Sequence, residues 1–194
     1  MVMIRQVERP YTADDLAQMP DDGRRYEVLG GELIVSPSLS DRHQTVLTEL
    51  MLAVGPFIRE QRLGKMFPAP FDVYFDERNS FQPDLVIVLR QNLRRIHRNR
   101  IVGPPDLIME IISPSSRVTD RVKKAAAYAR FGVSEYWLVD PDTETILVQE
   151  LHGDHYVPIP LSDGSIRSNI LEGLAIDPRS IFVEPEWMYE EVEE

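Results

Sequence analysis

The chain has 194 residues, of which 43% are hydrophobic and 27% charged, so it carries about one domain's worth of sequence and enough apolar content to bury a core. It contains no cysteine, which excludes disulfides, zinc–thiolate centres and cysteine nucleophiles and fits a reducing cytoplasm. The net charge of −11 argues at first sight against nucleic-acid binding, but part of it sits in residues 184–194, where six glutamates read as a solvated acidic tail.

The segment from Met1 to Asp15 has no long apolar run, so no signal peptide is expected. No stretch reaches the roughly 18 uninterrupted apolar residues of a membrane span. Thr12 to Asp15 has the form of a capping box, predicting a short helix that stops near Pro20. After a turn at Asp21-Asp22-Gly23, Tyr26 to Val35 alternates around Gly30-Gly31 as a β-hairpin does. Ser40 or Asp41 can cap a long helix with Val46, Leu47, Leu50, Val54, Phe57 and Ile58 on one side; it should end by Gly64, or earlier at Pro56. Strands are predicted over Phe71 to Phe75, Asp84 to Leu89 and Leu107 to Ile112, with a basic loop from Arg90 to Arg100 between the last two. A second helix should run from Val118 to Arg130, with Gly132 placed to stop it. Shorter strands follow at Tyr136 to Val139, Thr145 to Leu151 and Tyr156 to Pro158. With no linker or repeat, residues 1–183 read as one α/β domain with a mixed sheet, because a helical crossover returns to a parallel strand.

Glu110 interrupts the run Leu107-Ile108-Met109-Glu110-Ile111-Ile112, which is apolar enough for a strand buried on both faces. An ionised carboxylate there is costly unless a cation or hydrogen-bond donors meet it. Asp84, directly after Pro83, opens another apolar strand; alone it would read as a turn residue, but on a strand adjacent to Glu110 it completes a carboxylate pair. Such a pair suits Mg²⁺, with Mn²⁺ as an alternative, because Mg²⁺ takes one or two carboxylates and keeps waters and phosphate oxygens as its other ligands. The two carboxyl groups must then lie on one face of the sheet.

Lys123 and Lys124 lie in the first half of the second helix. Lys124 shares a side with Tyr128 and Lys123 with Ala127, which leaves either able to reach a metal site. Glu27 and Glu32 flank the glycine turn, His43 opens the long helix and Asp120 precedes the lysines; each is a candidate for a supporting or additional site. Arg90, Arg94, Arg95, Arg98 and Arg100 reverse the local sign of an acidic chain and could clamp a DNA backbone.

Several ordered motifs resemble the restriction-endonuclease family called Uma-two. They are Pro83-Asp84, Glu110-Ile111-Ile112-Ser113-Pro114-Ser115-Ser116, Asp120 with Lys124 and Tyr128, and Glu135-Tyr136-Trp137-Leu138-Val139-Asp140-Pro141. Shorter likenesses at Tyr26-Glu27, Gly31-Glu32-Leu33, Arg42-His43-Gln44 and Ala69-Pro70-Phe71-Asp72-Val73 extend it over roughly residues 11–180. The resemblance implies the PD-(D/E)XK nuclease superfamily, a restriction-endonuclease-like core of helix, three strands, helix and strand, here with an added N-terminal hairpin. It implies that Asp84 and Glu110 are catalytic metal-binding carboxylates. The superfamily's lysine two residues after the glutamate is replaced here by Ile112. In the family a lysine from the following helix takes its place, and Lys124 matches.

The expected activity is metal-dependent hydrolysis of DNA phosphodiester bonds. Two cuts in a duplex usually need two centres, which makes a homodimer the expectation. The overall acidity and the missing strand lysine motivate an alternative, a non-catalytic nucleic-acid or protein-binding module on a degenerate nuclease fold. A third reading is an interaction protein that uses its acidic tail.

Overall fold

The computed structural model describes residues 9–113 and 118–183, the side chains of 118–120 excepted. The proposed acidic tail, residues 184–194, lies outside the described residues.

Local sequence chemistry sets the first elements. The Asp15 carboxylate accepts the Thr12 backbone N–H at 2.8 Å, half of a capping box at the start of α1 (Ala13–Leu16). The hairpin of β1 (Arg25–Leu29) and β2 (Glu32–Ser36) turns through Gly30 and Gly31 at φ +60° and +85°, the left-handed pair that a two-residue hairpin turn needs. Ser40 Oγ accepts the His43 N–H at 3.2 Å and caps α2 (Asp41–Glu60), which carries Pro56 within it.

The chain continues through β3 (Gly64–Pro68), β4 (Asp72–Asp76), β5 (Asn79–Phe81), β6 (Leu85–Leu89), a 3₁₀ helix over Arg90–Arg95, β7 (Arg100–Val102) and β8 (Leu107–Ile111). It then forms α3 (Val118–Phe131), β9 (Glu135–Asp140), β10 (Thr145–His152), β11 (His155–Pro158), β12 (Ile166–Arg167), β13 (Ala175–Ile176) and a 3₁₀ turn over Pro178–Ile181. The central sheet has six strands in the order β11-β10-β9-β8-β6-β3. In it β8 and β9 are parallel, as the α3 crossover requires, and the other described pairs are antiparallel. A five-stranded sheet, β2-β1-β5-β4-β7, lies beside it.

Alternation along β6 and β8 sorts the core into two layers. Leu85, Ile87, Leu107 and Met109 pack with Val46, Leu50 and Val54 of α2 on one face. Val86, Val88 and Ile108 pack on the other face with Ala127 and Tyr128 of α3 and with Val73 and Phe81 of the second sheet. The central sheet is therefore covered on both sides, which suits its unbroken apolar strands. Among the described residues no helix is long and apolar enough to cross a membrane.

Helix α2 ends at Glu60, before Gly64 as expected, and runs through Pro56. Two local expectations are corrected. The strand predicted at Phe71 to Phe75 forms as β4 but belongs to the second sheet, and the outer partner of β6 is β3, where no strand was predicted. The basic segment expected to be a loop folds into the 3₁₀ helix and β7, pinned where the Arg90 N–H donates to Leu63 O at 2.7 Å.

Gly64 shows why β3 was hard to see. A Cβ built there would meet the Val88 carbonyl oxygen at 2.1 Å, so the two backbones approach too closely for any side chain. Gly64→Ala should destabilise the protein by roughly 1–3 kcal/mol through forced backbone shifts. Urea unfolding would read this as a lower midpoint with an unchanged slope.

Candidate functional site

The register of β6 against β8 brings the two expected carboxylates together. Leu85 pairs with Met109 and Val86 with Ile108, so the next pair outward is Asp84 opposite Glu110. Both share the side-chain parity of Val86 and Ile108 and point to the face that α3 and the second sheet cover. The requirement that they share a face is met.

Asp84 is 1% exposed and its carboxylate is fully engaged. Oδ1 accepts from Arg25 Nη2 at 2.8 Å; Oδ2 accepts the Ile111 N–H at 2.7 Å and lies 3.2 Å from His43 Nε2. Burial alone would raise this carboxyl, but the hydrogen bond to His43, the Arg25 guanidinium and the Ile111 N–H outweigh it and hold Asp84 below its ordinary value.

Glu110 faces α3. Its Oε1 accepts from Tyr128 Oη at 2.6 Å and from Lys124 Nζ at 3.3 Å. Lys124 also pairs with Glu27 Oε2 at 2.8 Å, and Glu27 Oε1 accepts the Gln82 N–H at 2.8 Å. Period two along β1 turns Arg25 and Glu27 to the same side. Spacing of four along α3 stacks Lys124 beneath Tyr128. Three carboxylates thus meet two fixed cations, Arg25 and Lys124, in a buried cluster.

That excess of negative charge explains the titration of the cluster. Burial pushes Glu110 up, and although Lys124 opposes this, the Asp84 and Glu27 carboxylates add to the rise. Burial would lower Lys124, yet Glu110 and Glu27 outweigh it and hold the ammonium above its ordinary value. Burial and the surplus of carboxylates act together on Glu110, whereas on Lys124 the same carboxylates outweigh burial.

The Uma2 family model, described as "Putative restriction endonuclease", matches residues 13–179. The chain belongs to the Uma2 family. A crystal structure described as "a putative nuclease belonging to DUF820", from Anabaena variabilis, superposes on this Uma2 chain with a TM-score of 0.74 at 21% identity. The match covers 89% of this chain and 98% of the other, so the two share a fold, and the mixed α/β architecture is restriction-endonuclease-like. Among curated proteins, none matches the sequence.

Of the residues singled out in this Uma2 sequence, Asp84, Glu110, Lys124, Glu27 and His43 converge on the cluster. Lys123 does not: it pairs with Glu32 at 3.1 Å on the surface, so those two lie outside. The Asp120 side chain lies outside the described residues. The arginines separate. Arg90 joins Arg59, Arg62 and Lys65 in a cleft at the end of α2, while Arg98 and Arg100 line a groove against α1 with Arg24 and His97. Arg95 is tied to the Pro104 carbonyl at 2.6 Å, and the exposed Arg94 sits on the 3₁₀ helix.

Arg25 and the Tyr128 hydroxyl were missed as site groups. Alternation around Tyr26 could have flagged Arg25 as the same-face neighbour of Glu27. Tyr128 stands in the family motif with Asp120 and Lys124, but its residue type reads as a core aromatic, and the ring is indeed fully buried.

Lys124→Met would leave Glu27 and Glu110 buried without their cation, and should cost roughly 3–5 kcal/mol at pH 8. A carboxyl raised above its unfolded value, near 4.5 for Glu110, favours folding below that value and loses this contribution as pH rises through the folded one. Removing Lys124 raises Glu110 further, so urea unfolding should show a smaller penalty at pH 5 than at pH 8.

Proposed function

We propose that this chain is a Mg²⁺- or Mn²⁺-dependent endonuclease hydrolysing DNA phosphodiester bonds, with Asp84 and Glu110 as metal ligands and Lys124 as the fixed cation beside them. The observation that carries the reading is the register of β6 against β8, whose next step sets Asp84 opposite Glu110 in a cluster that holds more carboxylates than cations. Family membership supports the nuclease class.

The donor set fits a hard divalent cation. Among the described residues, no group of three or more His, Cys, Asp or Glu side chains is arranged to hold a metal. Two carboxylate oxygens are what Mg²⁺ takes when waters and substrate phosphate complete its shell. A divalent cation would also answer the excess negative charge. When bound, the ion would supply a Lewis acid that activates water and offsets charge developing on phosphorus.

The chain's own groups would then have distinct roles. Asp84 is aimed by Arg25, His43 and the Ile111 N–H, so its orientation is set before any ligand arrives. Tyr128 does the same for Glu110 through its hydroxyl. Lys124, held above its ordinary value, stays an ammonium and is a poor proton acceptor. It stabilises charge next to the reacting phosphate and is not the base.

The arginine segment would contribute at a distance. Arg90 is six residues beyond Asp84 along β6, roughly 20 Å at strand rise, which corresponds to about six base pairs of duplex. Its contacts would therefore be with backbone phosphates away from the cut. Two such centres in a homodimer would cut both strands.

The engagement of both Asp84 oxygens by protein donors favours one rival, a binding module in which the cluster is structural. Metal dependence separates the two. Asp84→Ala and Glu110→Ala should abolish cleavage while leaving the fold intact, and EDTA should do the same to the wild type. Cleavage retained by either purified variant would sink the assignment. Because the ion must displace a proton from Glu110, calorimetry should find Mn²⁺ affinity rising about tenfold per pH unit below the Glu110 titration. In Glu110→Gln that slope should disappear.

A further inference from the structure

A cavity of about 80 Å³ opens beside Glu110, between β2, the ends of β8 and β9, and α3. Its apolar wall includes Ile34, Val35 and Leu138; its charged wall is Glu110, Lys124 and Arg121. About 10–15 Å³ of such space already admits a water, so this cavity has room for a larger group. Arg121 is one turn before Lys124 on α3, so both address the same space. Lys124 is committed to Glu27 and Glu110. Arg121 differs: its Nε is buried with no hydrogen-bond partner, and among the described residues it forms no ion pair.

A buried guanidinium N–H without an acceptor is costly, and its presence in a cavity asks for a ligand that supplies one. The acceptor cannot favourably be apolar, and the guanidinium fork matches the paired oxygens of an anion, carboxylate or phosphate. The nuclease reading selects phosphate between the two, since the substrate brings that group to this cluster. We infer that Arg121 holds the non-bridging oxygens of the bound phosphodiester, with the adjoining sugar against Ile34, Val35 and Leu138. This rests on the nuclease reading and adds to it the group that seats the substrate phosphate, a role separate from the charge stabilisation assigned to Lys124.

The test is fluorescence anisotropy of a labelled DNA duplex with the full chain in EDTA, across a salt series. Arg121→Gln should bind about tenfold more weakly, as expected for one lost charge-assisted contact. The slope of log affinity against log salt should fall by about 0.9, the value of one phosphate contact. Arg121→Lys should keep the slope, because the charge remains, but bind more weakly than wild type because the fork is lost. Unchanged affinity and slope in Arg121→Gln would overturn the inference, as would a wild type that binds no DNA. Should Arg121→Gln fail to fold, Arg121→Lys decides alone: binding equal to wild type overturns the inference. Cleavage by the wild type in Mg²⁺, run in parallel, keeps the two proposals apart. Arg121-dependent binding without cleavage would refute the nuclease and leave the phosphate contact standing. Cleavage with Arg121-independent binding would refute only the contact.

Discussion

Everything around the site depends on keeping three carboxylates and two cations together where water is largely excluded. Removing charged groups from water is expensive, and only well-placed partners repay it. Each element that meets at the cluster satisfies part of that demand. The antiparallel register of β6 and β8 sets Asp84 opposite Glu110, β1 delivers Arg25 and Glu27 on one face, and α3 presents Lys124 and Tyr128. The backbone joins in through the N–H groups of Ile111 and Gln82. A register slip of one residue in either strand would send a carboxylate to the α2 side of the sheet, into purely apolar packing.

The cluster is not electrically balanced, and this distinguishes it from an ordinary buried salt bridge. Glu135, elsewhere in the central sheet, shows the contrast: it is buried as well, but its oxygens are taken up by Trp137 Nε1 and the Asn169 N–H, and it ties the chain after β11 to the sheet. Asp106 behaves similarly, accepting from the Leu89 N–H and the Asn92 side chain. Those two carboxylates meet neutral donors and have a structural use. The cluster at Glu110 instead holds more negative charge than its cations cover, and it opens on a cavity. Preorganised charge of that kind costs no rearrangement when a cation and an anionic substrate arrive.

The second sheet changes the meaning of the N-terminal hairpin. In sequence it stands as an addition in front of the core. In the fold, β1 and β2 continue through β5, β4 and β7 into a layer that covers α3 and one face of the central sheet. Two groups of the cluster, Arg25 and Glu27, come from that layer, so the hairpin is part of the site's construction. The strand at Asp72–Asp76, predicted at Phe71 to Phe75, was legible from its aromatic and β-branched residues, but that composition says nothing about which sheet a strand joins. Gly64–Pro68 was not legible, since its glycine and proline read as punctuation while the glycine in fact permits close strand approach.

What short-range chemistry controls is legible in the sequence: the capped start of α2, the glycine hairpin, the apolar strands broken by Asp84 and Glu110, and the helix after them. The sequence also carried the family likeness, because the motifs are contiguous. It left Lys123 and Lys124 nearly equivalent, since neighbouring helix positions differ by only about 100° and nothing local says which side is covered. The family likeness favoured Lys124, and the packing of α3 separates the two: Tyr128 and Lys124 face Glu110 while Lys123 meets Glu32 at the surface. The tertiary structure likewise divided the arginine segment between two clefts and brought in Arg25 from 59 positions away in the chain. The reason is the same in each case. Carboxylates in apolar strands announce themselves locally by their cost, but the cations that repay that cost are chosen by long-range packing.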